Sequence, residues 1–199
     1  MTLGELVLFS KDLSNWIGGS IDNAELRWAP NIQLSGACFQ VGLSHHAAIV
    51  HLVDADRYAS ALALLRPLME CFLRGVWINR VATEEQLERF LRGGDLKIDQ
   101  IIADIEATDV FDEGRITEIK REVWSDFCDF THCGGKTIRS HFRGDELTPN
   151  FSEAYLKGAL MSANAWALTT GLWVAILADN INLAETFLAR AKTLNSVVL

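Results

Sequence analysis

The chain has 199 residues, a formal charge of −8 at pH 7 and a pI near 5.1. That balance leaves no general footprint for DNA, because non-specific binding to the phosphate backbone is driven by clustered Lys and Arg. Hydrophobic residues at 49%, with six tryptophans and only three prolines, exclude a disordered chain and supply apolar area for one domain over residues 1–199.

Met1 to Ser10 shows no basic region ahead of an apolar core and no small-residue cleavage pattern, so no secretory signal is expected there. Cys38, Cys71, Cys128 and Cys133 are scattered, three of them within apolar helical stretches, which suits free thiols in a reducing compartment. A cytoplasmic location follows as the expectation. Glu5 to Ile17 carries helical spacing, with Gly18 and Gly19 as its stop signal. The second helix is expected from Pro30 to Val53, proline being suited to the first turn, where its missing N–H costs nothing. His45, His46, His51 and Asp54 lie on it. His51 and Asp54 are three apart and could share a ligand, whereas the adjacent histidines point about 100° apart.

A third helix is expected from Tyr58 to Val81, apolar on nearly every side except for Arg66, Glu70 and Arg74 at four-residue steps. Pro67 beside Arg66 removes a backbone bond, kinks the helix and frees the carbonyl of Ala63. Thr83 and Gln86 form a capping-box pattern for a short helix to Leu91, stopped by Gly93 and Gly94. Asp95 opens the next, to about Ala107. Between Asp112 and Phe130, the residues Ile116, Ile119, Val123, Phe127 and Phe130 mark one face of a long amphipathic helix that ends near His132, before Gly134 and Gly135. Lys136 to Asn150 reads as an irregular loop. A long apolar helix follows to about Ala178, and Asn182 to Leu194 forms the last.

Ala159 to Ala178 runs without a charge and meets the length criterion for a membrane span. Its Ser162, Asn164, Thr169, Thr170 and Gly171, and the lack of aromatic and basic anchors beside it, favour a buried core helix and no membrane. No alternation long enough for a convincing strand occurs. The fold class is therefore all-α, a bundle of long antiparallel helices with short accessory helices. Small residues such as Ala163, Ala167 and Gly171 permit close helix contact within one chain or across two, and a homodimer is the expected assembly.

Two groups of residues carry chemistry. Arg66 and Arg74, oriented by Glu70, form a candidate ligand-binding stripe for a small anionic ligand or an RNA end; the plainer reading is a salt-bridge ladder that fixes helix register. His132, at a helix end before two glycines, is a candidate general acid or base, with Arg139 and His141 a few residues on as sources of charge or a second proton. The plainer reading has His132 capping its helix against the dipole. Glu122, Asp126, Asp129 and Cys133 share one helical face, but no Glu-x-x-His accompanies them, and a solvated acidic face or a partner for the arginines fits better than a metal. There is no GxGxxG, P-loop, GxSxG or HExxH, so neither cofactor nor metal is expected.

The stretch ALALLRPLMECFLRGVWINR, with DFTHCGG and the following Arg139, resembles a group of uncharacterised bacterial helical proteins that pair an R-P-x-x-E helix with a T-H-x-G turn. The resemblance spans Ala59 to His141. The chain is also loosely similar to the HEPN superfamily, helical bundles that often dimerise and whose active members are metal-independent ribonucleases in defence and toxin–antitoxin systems. Those nucleases place a His four to six residues after an Arg on one helix. No Arg in this sequence has that spacing, and Arg139 and His141 are two apart, so the nuclease residues do not carry over. What the resemblance implies is a helical fold, a bacterial origin and a defence or mobile-element context.

Overall fold

The computed structural model describes residues 1–94, 96–111 and 114–198, with side chains through Leu194. In chain order the elements are α1 (Leu3–Ile21), α2 (Pro30–Asp54), α3 (Tyr58–Ala63), α4 (Leu65–Arg80), α5 (Glu84–Leu91), α6 (Ile98–Glu106), α7 (Arg115–Thr131), α8 (Gly135–Arg139), the hairpin strands β1 (Phe142–Arg143) and β2 (Glu146–Leu147), α9 (Glu153–Leu177) and α10 (Ile181–Val198). The protein is all-α, with one two-stranded antiparallel hairpin as its minor exception.

Helix α1 begins at a capping box in which the Thr2 hydroxyl accepts from the Glu5 amide and the Glu5 carboxylate accepts from the Thr2 amide. It then runs through Gly18 and Gly19, contrary to the expected stop. Neither glycine takes a left-handed backbone, and Ile17 and Ile21 pack on the core on either side of them, so tertiary contact carries the helix one turn further. Helix α2 starts at Pro30 as expected and packs broadly on α4, while α9 lies against α1, α2, α4 and α10. Helices α6 and α7 close over the far side of α4. Phe39, Leu68, Met69, Phe72 and Trp77 are buried at the centre. Their aromatic contacts continue into α9, with ring centroids 5.2 Å apart for Phe72 and Trp166 and 6.4 Å for Phe39 and Trp173.

The chain from Tyr58 to Arg80 is two helices and not one. The ladder breaks at Leu64, whose amide turns to Ala61, and resumes with Leu68 N–H to Leu64 carbonyl. The carbonyl of Ala63, which Pro67 cannot serve, shares the single proton of the Thr131 hydroxyl of α7, 3.2 Å away, with the Phe127 carbonyl at 2.7 Å. The Thr83–Gln86 capping box opens α5 as expected. Asp95 and Asp112, read as the openings of the next two helices, lie outside the described residues; α6 and α7 are described from Ile98 and Arg115.

The expected loop at Lys136 to Asn150 contains α8 and the hairpin. Helix α7 ends with Cys133 in the left-handed region (φ 53°), and Gly134 N–H bonds back to Asp129 carbonyl at 2.7 Å, a Schellman closure. A Cβ on Gly134 would sit 2.4 Å from the Asp129 carboxylate, which is why glycine follows the left-handed residue here. Helix α9 is long and apolar enough to cross a membrane by length and composition, and 67% of its most apolar window is buried inside the fold.

Candidate anion-binding site on the α4 face

The i,i+4 spacing of Arg66, Glu70 and Arg74 becomes a continuous charge ladder. Arg66 Nε donates to Glu70 Oε1 and Arg74 Nη1 to Glu70 Oε2, both at 2.7 Å, and the three side chains are 24%, 13% and 28% exposed. Arg66 also reaches across to α7, where its Nη1 lies 2.7 Å from His132 Nε2. A guanidinium has only donors, so Nε2 accepts and the ring proton of His132 sits on Nδ1. The Arg66 guanidinium lies 4.7 Å from the Trp124 ring centroid, and Lys120, paired with Asp99 at 2.5 Å, is 5.1 Å from the same ring. Four expected ligand and proton-transfer residues therefore join in one array, Arg66, Glu70, Arg74 and His132. Two arginines share one glutamate, which leaves one half-buried positive charge without a carboxylate among the described residues.

The turn that carries His132 is held by Asp129. Its carboxylate accepts from the Thr137 amide at 2.7 Å, the Thr137 hydroxyl at 2.9 Å and the Lys136 amide at 3.1 Å. Desolvation pulls its pKa upward, but these bonds together with the Lys136 charge outweigh it and hold the carboxyl below its ordinary value. Asp126 pairs with Lys136 and accepts from Tyr155 Oη at 3.3 Å, and Glu122 is exposed. The acidic face of α7 thus secures its own connection to α8 and α9. No cluster of three metal-ligating side chains occurs among the described residues.

Arg139 and His141 stand apart from the array. Arg139 is exposed at the end of α8 and makes no ion pair among the described residues. His141 donates Nδ1–H to the Thr137 carbonyl at 2.9 Å and sits edge-on to Phe151, 5.5 Å between ring centres. At its other end the array opens into a cleft of about 560 Å³, where Arg74 meets Cys38, Cys71, Leu34, Phe90 and Leu96. Burial raises both thiols, Cys71 to about 11, so neither is a thiolate nucleophile at neutral pH.

One polar feature escaped the sequence. His46 is buried and its Nε2 lies 2.9 Å from Asn164 Oδ1; Asn164 Nδ2 donates to Ser10 Oγ at 2.8 Å, and Ser10 Oγ donates to Leu6 carbonyl at 2.8 Å. This relay ties α2, α9 and α1 together. Its only trace in the sequence is a polar residue at a core position of each helix. His51 takes no part, and Asp54 pairs with Lys11 at 2.7 Å. Burial lowers the His46 pKa from 6.5, against a smaller opposing effect of the Asn164 bond. The unfolded chain therefore binds a proton more readily. Stability is full above pH 6.5 and declines as pH falls through that value toward the folded pKa, by at most about 1.4 kcal/mol per pH unit. Urea unfolding at pH 5 to 7.5 should show this slope in the wild type and a flatter one in His46→Gln; equal slopes would assign the effect to other groups.

The model of a family of unknown function (DUF6988) matches residues 39–198, which include the whole of the α4 array and the α7 turn. No curated protein and no solved structure matches the chain.

Proposed function

The chain belongs to the DUF6988 family, whose function is unknown, and we propose from its geometry that it is a cytoplasmic binding protein for a small phosphate-bearing ligand. The observation that carries this is the sharing of Glu70 by Arg66 and Arg74. One positive charge remains over, fixed in place by His132 and Trp124 and shielded from bulk water, where a phosphate gains more than at an exposed lysine. His132 holds Arg66 through Nε2, which fixes the direction in which the guanidinium presents its remaining N–H donors. The 560 Å³ cleft beside Arg74 accommodates the body of the ligand.

Native mass spectrometry tests the reading together with its expected homodimeric assembly. Mass retained natively and lost on denaturation supports it, and titration with inorganic phosphate should raise the melting temperature of the wild type but not of Arg66→Met/Arg74→Met. An equal rise in both proteins would place phosphate elsewhere.

A second reading follows from the Arg66–His132 contact, which pairs an arginine with a histidine across two helices in place of the single-helix spacing of HEPN nucleases. On it the protein is a divergent metal-independent ribonuclease of a bacterial defence or mobile-element system. RNA cleavage that persists in chelator and disappears in His132→Ala supports this, with Arg139→Ala and His141→Ala reporting whether the α8 residues assist. Absence of cleavage in the wild type eliminates it.

A further inference from the structure

The His46 relay borders a second cleft. Helices α1 and α2 leave a space of about 650 Å³ between them, walled by Ser14 and Ile17 on one side, Gln40, Leu43 and Ala47 on the other, and Val174 of α9. His46 lines it while being only 1% exposed as a residue. A volume of this size suits a small organic molecule.

The relay fixes which ring nitrogen faces what. The Ser10 hydroxyl donates its single proton to the Leu6 carbonyl at 2.8 Å. Ser10 Oγ must then accept from Asn164, which turns the amide NH2 toward Ser10 and the amide oxygen toward His46. That oxygen accepts the Nε2 proton, and in the neutral ring Nδ1 is left as a bare lone pair. Nδ1 has no hydrogen-bond partner among the described residues, although it is not among the fully enclosed polar atoms that lack one. Nδ1 is thus the acceptor that this otherwise buried ring presents to the cleft, open to a donor from whatever occupies it.

The walls restrict the donor. No Lys or Arg lines the cleft, and its one charged residue is Asp22, so an anion finds no partner. Asp22 is exposed, where water screens its charge, and the other lining residues carry no charge to pair with a cation. We propose that this cleft binds an uncharged small molecule with an apolar body that donates one O–H or N–H hydrogen bond to His46 Nδ1. The site is separate from the α4 array and is formed by α1, α2 and α9.

Phenol is the probe, with anisole as its donor-free counterpart and benzoate as its anionic one, followed by nitrogen-15 NMR of histidine-labelled protein. The free protein should show His46 with a protonated Nε2 and an unprotonated Nδ1. Phenol should shift the Nδ1 resonance saturably, with anisole and benzoate binding about ten-fold more weakly or less, the factor expected for one lost hydrogen bond to a buried acceptor. Ala47→Phe fills the cleft without touching the relay and should abolish the shift while keeping the wild-type Nε2 signal, which also certifies that the variant is folded. A protonated Nδ1 in the free protein, no saturable shift with phenol, equal binding of phenol and anisole, or undiminished binding to Ala47→Phe would each overturn the proposal.

Discussion

Gly75→Ala should lower the stability of the protein by about 2–3 kcal/mol, the upper range for overpacking a core. A Cβ at position 75 would lie 2.3 Å from one Phe39 ring carbon and within 2.9 Å of two more. The ring cannot swing aside, since Phe39 is fully buried between Phe72 and Trp173. Nor can the α4 backbone retreat freely, because the Gly75 carbonyl accepts from the buried Ser35 hydroxyl at 2.7 Å. Urea unfolding should show a lower midpoint at unchanged slope. Phe39→Leu removes the obstructing ring atoms, so the double variant should be more stable than the sum of the two single effects predicts. Strict additivity would mean that α2 and α4 have slack at their closest approach. Gly171 faces the same constraint from Phe187, at 2.2 Å.

Glu70→Gln should act in two directions at once. Stability should drop by about 1–2 kcal/mol, less than the 3–5 kcal/mol of breaking a fully buried pair, because the arginines are partly solvated and Arg66 keeps His132. Phosphate affinity should rise, since the carboxylate that competes with the anion for both guanidinium groups has become neutral. Thermal unfolding with and without phosphate reads both effects, and the gap between the two melting temperatures should widen in the variant. If the array is only a brace between α4 and α7, the variant loses stability and phosphate restores none of it.

The parts of the site that were legible in the sequence are those set by local spacing. Arg66, Glu70 and Arg74 meet because four residues make about one helical turn, and Pro67 foretold the freed carbonyl of Ala63 because a missing N–H is a local fact. The outcome at Pro67 was less local. The helix broke outright where a kink was expected, since Thr131 of α7 was there to receive the carbonyl. His132 meets Arg66 from 66 residues away, and nothing in the spacing of either helix specifies that pairing. The hairpin after α8 leaves no mark in the sequence because its strands are two residues each, too short for alternation to register, and α8 is held by the Asp129 side chain, eight residues before Thr137. Ser10, His46 and Asn164 were hidden for the same reason: each is one polar residue on an otherwise apolar face, and only the packing of α1, α2 and α9 makes them a set.

The hydroxyl that Thr131 lends to the α3–α4 break also makes two distant segments open together. If the last turn of α7 peels away, the half-buried Ala63 carbonyl loses the Thr131 hydroxyl, and the α3–α4 junction is weakened in turn. Because Arg66 follows immediately and is itself held by His132 on the turn after α7, the same opening loosens the charge array. Access to the α4 face and the integrity of the helix break should therefore respond together to a change in the last turn of α7.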